Sequence, residues 1–180
     1  MLNNGQYEKA LPIFEGLVTE YPDNTMYRYN RAVTYFNLKK YKAALNDYLI
    51  LINSDPTKAE YYFQAGNLYE TLDSLHKVEY YYSKALARET ENFMYYFKRG
   101  TFYLKRGLYE KAIKDFDNSI LINEKHHNSY HNRAIALYKK GEKVQACEDW
   151  CQALLLGNPH SATHLDKNCK KYPDPCLLPK

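Results

Sequence analysis

Apolar residues along this chain recur at helical spacing, and the whole pattern repeats at a step of 34 residues. The clearest copies open GQYEKALPIF at Gly5, KKYKAALNDY at Lys39, DSLHKVEYYY at Asp73, RGLYEKAIKDF at Arg106 and GEKVQACEDW at Gly141. A small side chain falls in step at Ala10, Ala44, Val78, Ala112 and Ala146, and a large aromatic follows four residues later at Phe14, Tyr48, Tyr82, Phe116 and Trp150. A spacing of four places both on one face of a helix. The small residue lets a neighbouring helix come close, and the ring fills the next layer. The segments before these copies carry their own stripe: Arg28, Tyr62, Tyr96 and Tyr130, then Ala32, Gly66, Gly100 and Ala134, then Tyr35, Tyr69, Tyr103 and Leu137. Pro22, Pro56 and Pro159 close units, and the polar breaks Glu89–Asn92 and Asn123–His126 serve where proline is missing. The pattern predicts a chain of antiparallel helix pairs.

A 34-residue helix–turn–helix unit with this ladder resembles the tetratricopeptide repeat, over roughly residues 5–160. The resemblance implies an all-α, right-handed superhelical solenoid of antiparallel helix pairs. Its expected parts are a lone second helix at 6–20, full repeats at 25–58, 59–92, 93–126 and 127–160, and a capping helix with tail over 161–180. Two departures stand out: Arg28 occupies an aromatic position, and Asp73–Leu75 replaces the usual Gly-x-Tyr turn. The tail is expected to form a short helix at about 160–171, packed through Leu165 and Cys169 and ended by Pro173 and Pro175. The stretch ACEDWCQALLLGN before a small cap is similar to the ends of bacterial repeat proteins. At the other end, Leu11, Phe14 and Leu17 belong to a second helix without its first. The reading is that repeats precede Met1 in a longer protein; the alternative is that this face makes a homotypic or partner contact.

Two residue sets go beyond the ladder. Arg31, Arg99 and Arg133 share one repeat position, and Asp47, Asp115 and Asp149 follow each by 16 residues. The one unit with Ala65 in place of Arg also has Tyr81 in place of Asp. Joint presence and joint loss predict structural ion pairs between helices; an Arg offered to an acidic ligand is the alternative. The second set follows from the resemblance, which implies a groove lined by positions two, five, nine and twelve of each first helix. The candidates are Tyr29, Val33, Phe36, Phe63, Asn67, Met94, Phe97, Lys98, Thr101, Leu104, His131, Ile135 and Tyr138. An aromatic column flanked by Met, Leu and Ile suits an amphipathic helix or extended peptide. The competing account is that helix packing covers these residues. The Lys and Asn set with which some members hold a C-terminal carboxylate is incomplete from either starting repeat (Phe63, Asn67, Lys98, Asn128 and Asn132, or Tyr29, Val33, Gln64, Met94 and Lys98), so that ligand is not expected.

Composition changes this picture little. A balance of 25 basic and 21 acidic residues gives no basic concentration that points to nucleic acid. The doublets Lys39-Lys40, Lys105-Arg106 and Lys139-Lys140 fall at ends of first helices, where they offset the dipole; a basic stripe for an acidic partner or anionic lipid is the alternative. No apolar run is long enough to span a membrane, and the first residues lack a secretory pattern. No glycine-rich phosphate loop and no Ser with a base and an orienter stand out, so no catalytic residues, cofactor or metal are assigned. His126, His127 and His131 read as turn and helix-start residues, with metal or proton transfer as the alternative. The expected function is a non-enzymatic protein- or peptide-binding scaffold. The alternative is an architectural segment of a longer array, or a homo-oligomer formed through the N-terminal face.

Cys147 and Cys151, one helical turn apart, cannot bridge each other without strain. The four cysteines therefore read first as small core thiols. A Cys169–Cys176 bridge, or a metal site with His160 or His164, are the alternatives. Thiols lean toward a reducing, cytoplasmic compartment, a periplasmic one being the alternative if a signal lies upstream.

Overall fold

Asn24 and Asn92 start two of the helices by accepting backbone N–H groups on their side chains: Asn24 Oδ1 from Met26 and Tyr27 at 3.1 and 3.2 Å, Asn92 Oδ1 from Met94 at 3.1 Å. The turns inside the pairs depend on left-handed backbone at four positions spaced by 34. Lys39, Asp73, Gly107 and Gly141 have φ of 58°, 57°, 72° and 102°. This is the conformation that ends a helix and sends the chain back, and glycine adopts it without steric cost.

The computed structural model describes residues 4–171 and Cys176. Among them are ten α-helices: α1 (Asn4–Glu20), α2 (Thr25–Asn37), α3 (Tyr41–Ser54), α4 (Ala59–Thr71), α5 (Leu75–Leu86), α6 (Phe93–Lys105), α7 (Tyr109–Ile122), α8 (His127–Lys140), α9 (Lys143–Leu155) and α10 (His160–Asn168). None of the helices is long and apolar enough to cross a membrane. The chain divides into two compact units, residues 1–90 and 91–180.

In the first unit α1 packs on α2, α2 on α3, α3 on α4 and α4 on α5. Its core gathers Ala32, Ala44, Tyr48, Leu51, Ala65 and Leu68, with Tyr29, Tyr35, Tyr61 and Tyr81 packed against it. In the second unit α6 packs on α7 and touches α8, and α7, α8 and α9 each pack on the next helix. One of its core clusters joins Ala134, Leu137, Ala146, Cys147, Trp150 and Cys169. The small–aromatic step is thus the packing code within each unit. A methyl built at Gly66 would lie 2.7 Å from the Tyr82 ring, and one at Gly100 would lie 2.9 Å from the Phe116 ring.

The cysteine reading is corrected. Cys147 is bonded to Cys169 and Cys151 to Cys176, and no cysteine is free. Spacing rightly rejects a bridge between Cys147 and Cys151. It does not reveal that α10 folds back along α9, where the partners come from the tail. The lean toward a reducing compartment loses its basis with the free thiols. The expected tail helix is present but shorter, ending at Asn168; Pro173 and Pro175 lie outside the described residues.

Candidate functional site

The three Arg–Asp sets meet between the helices of a pair. Arg31 Nε and Nη2 donate to the two Asp47 oxygens at 2.8 and 2.7 Å. Arg99 donates to Asp115 at 2.7 and 2.8 Å, and Arg133 to Asp149 at 2.7 Å twice. Each is the two-pronged contact that matches guanidinium to carboxylate. All three aspartates are buried. For Arg99, burial works against the charge, but the hydrogen bonds and charge of Asp115 overcome it and hold the guanidinium above its ordinary pKa. In the first unit a second cation joins: Arg28 Nη1 lies 3.5 Å from Asp47 Oδ1, while its Nη2 donates to the Pro22 carbonyl at 2.7 Å. The aromatic position lost to Arg28 thus reinforces the ion pair. Where the pair is missing, Ala65 is buried and the Tyr81 ring packs 4.8 Å from Tyr69.

The candidate groove residues lie on α2, α4, α6 and α8, and their surroundings differ. In the first unit Met26 and Phe36 are 60% and 39% exposed. Tyr29 is half-buried, its ring 6.0 Å from Tyr48 and 6.1 Å from Tyr61. Burial, then the charge of Glu60, raises its phenol pKa. Phe63 is 7% exposed and packs 5.8 Å from the Tyr82 ring, so it forms floor rather than free surface. Asn67 is tied into a polar string: it accepts from Tyr82 Oη at 2.9 Å and donates to Gln64 at 3.3 Å. Gln64 in turn donates to Glu60.

In the second unit Met94, Phe97, Lys98, Thr101 and Leu104 of α6 are all half-buried. Phe97 lies edge-on to His126 at 4.7 Å and 6.1 Å from Phe116. Asn132 of α8 donates to Thr101 Oγ1 at 3.4 Å. His131 is engaged by the chain's own last helix: its Nδ1 shares a hydrogen bond of 2.8 Å with Ser161 Oγ, and its ring meets His164 at 5.3 Å. Burial first, then His164, His160 and His127, push its pKa down to about 4. Ile135 and Tyr138 are half-buried, and Tyr138 lies 5.5 Å from Trp150.

The repeat pattern gives no sign of the buried network in which Ser119 and Ser129 share a hydrogen bond of 2.8 Å and Ser129 also bonds His126 Nδ1 at 2.7 Å. Those positions hold Ala85 and Tyr95 one repeat earlier, so a polar pair there is local to this unit. Arg88 is a second such residue: its guanidinium stacks 3.9 Å above the Tyr62 ring and donates to Tyr62 Oη at 2.9 Å. Among the described residues no group of three metal-ligating side chains converges.

Comparison with known proteins agrees with this geometry. Models of the tetratricopeptide repeat match residues 2–59 and 95–126. Heat shock protein STI1 of Saccharomyces cerevisiae is 33% identical over 88 residues; the match takes in 48% of this chain and 15% of the length of that relative. A crystal structure of MamA superposes with a TM-score of 0.80 at 22% identity, over 84% of this chain and 89% of the other. YrrB, described as a TPR protein with an unusual peptide-binding site, gives 0.77 at 16% identity, over 91% and 84%. The likeness to the two solved structures is one of fold.

Proposed function

This chain belongs to the tetratricopeptide-repeat family, a family of protein-interaction modules, and we propose that it is a non-enzymatic scaffold that binds a protein segment on the exposed faces of its first helices. On this reading the array comprises a lone second helix at 6–20, repeats at 25–58, 59–92, 93–126 and 127–160, and a cap with tail at 161–180. The observation that carries the proposal is that, in each unit, the ladder leaves over first-helix side chains that are mostly apolar. Met26 and Phe36 are exposed on α2, and Met94, Lys98 and Leu104 are only half-buried on α6. Side chains of this kind on a rigid helix face bind with little backbone change. Phe63, Asn67 and His131 are spoken for by Tyr82 and Ser161 and serve as supports. That YrrB is a TPR protein with a peptide-binding site is consistent with the proposal.

The test is to select peptides from a random phage-displayed library on the full chain and measure their Kd for variants. Met94→Ala with Leu104→Ala, or Phe36→Ala, weakens the selected peptides tenfold or more. Leu121→Ala, on α7 and 83% exposed, leaves them unchanged. Loss on Leu121→Ala alone would move the site to the second helices.

A second reading is self-association through α1. Phe14 and Leu17 are half-buried, whereas their counterparts Tyr48 and Leu51 are fully buried. Light scattering decides it: a mass that rises with concentration in the native chain, and not in Phe14→Ser, supports the contact.

A further inference from the structure

Packing alone gives α10 a poor hold on α9. It has nine residues, HSATHLDKN, well below the length at which an isolated helix is stable in water. Within it only Ser161 is buried; Ala162, Thr163, Asp166 and Lys167 are exposed, and His164 and Leu165 are half-buried. Ser161 brings a hydrogen bond to His131 but almost no apolar area. The deepest anchor comes immediately after the helix. Cys169 is buried in the core cluster with Ala134, Leu137, Ala146 and Trp150, and it is bonded to Cys147 of α9. One turn along α9, Cys151 holds Cys176 in the same way. Against this weak apolar contact stands the entropy of ordering the whole segment. The cross-links tip that balance by removing the freedom the released segment would gain.

We propose that α10 is a redox-held cap. With both bridges formed it lies on α9, stacking His164 on Trp150 at 4.6 Å. On reduction it leaves α9 while α6–α9 stay folded. Those helices keep their own ties, the Arg99–Asp115 and Arg133–Asp149 pairs and the buried Ala112 and Phe116, none of which involves a cysteine. A dithiol reductant opens each bridge with two electrons and two protons. One of its thiolates attacks Cys169 Sγ, Cys147 leaves as thiolate and takes up a proton, and the second reductant thiolate displaces Cys169 as the reductant closes its own disulfide. Release uncovers Trp150 and frees His131 from Ser161 and His164. The capped form requires maturation under oxidising conditions.

Trp150 is the single tryptophan, so its emission reports the cap directly. Full-length protein purified without reductant is treated with iodoacetamide and weighed: no adduct is expected, and four are expected after dithiothreitol. On reduction, Trp150 emission moves to the red and acrylamide quenching at least doubles, while far-UV circular dichroism retains most of its helix signal. Cys147→Ser with Cys169→Ser gives the same emission without reductant. Four adducts on the unreduced protein, an unchanged spectrum after reduction verified by mass, or collapse of the whole helix signal on mild reduction would each overturn the proposal. The native chain carries the test even if the double variant fails to fold.

Discussion

Asp115 keeps a buried charge because Arg99 meets both of its oxygens. Removing one member of such a pair strands the other, which costs about 3 kcal/mol. Asp115→Ala therefore lowers the melting temperature far more than Asp23→Ala, whose side chain is exposed; equal melting temperatures would sink the structural role. A different residue-scale cost sits at Lys39. It holds φ of 58°, where Gly107 and Gly141 stand in equivalent turns. An L side chain in left-handed backbone costs roughly 1 kcal/mol, so Lys39→Gly is expected to raise the melting temperature by about 2 °C, read by thermal denaturation. Asp73 has the same geometry, but its short polar side chain tolerates it better, so Asp73→Gly gives the smaller gain.

Between elements, the close approach of α6 to α7 rests on Gly100. A methyl there meets Phe116 Cε1 at 2.9 Å and Asp115 Cβ at 3.2 Å, and Phe116 is fully buried with nowhere to move. Gly100→Ala trades the usual gain in helix propensity for overpacking of about 2 kcal/mol. The midpoint of urea unfolding falls, whereas the same change on an open helix face would raise it. Ala32 and Ala134 hold the equivalent positions, in clusters with Tyr48 and Trp150, so the position demands a small residue and each aromatic sets how small. Proline and asparagine do comparable work at the breaks. The Pro22 and Pro56 carbonyls each accept from an arginine, Arg28 and Arg88, which ties the end of one helix to the flank of another.

For the whole molecule, the histidines set an acid limit. His131 is held down at about 4 against an ordinary 6.5, and burial also lowers His126 and His164. Between those two values the unfolded chain binds a proton at this site that the native chain does not. Stability is therefore fully present above pH 6.5 and falls as pH drops toward 4. The melting temperature at pH 5 is expected below that at pH 7.5, with a smaller difference in His131→Gln. An equal difference in the variant would show that His131 carries none of the effect. Acid and reduction converge on one part of the chain, since His131 meets α10 at Ser161, His164 lies on α10 against Trp150, and Cys169 anchors it.

The sequence by itself determined the helices, their pairing and the small–aromatic ladder. Each of these is written at fixed spacing, and a repeat prints the same local rule several times. The positions of Arg99 and Asp115 were legible for that reason: joint loss at Ala65 and Tyr81 is visible in the letters alone. The pairing of the cysteines was decided only by tertiary structure, because it depends on α10 returning along α9 and no repeat copy foreshadows that segment. The same holds for the candidate site. Periodicity put Tyr29, Phe63, Phe97 and His131 on one column. Burial then divided them, because Tyr82 lies against Phe63, His126 against Phe97 and Ser161 against His131, and none of these neighbours follows from the spacing of the column itself.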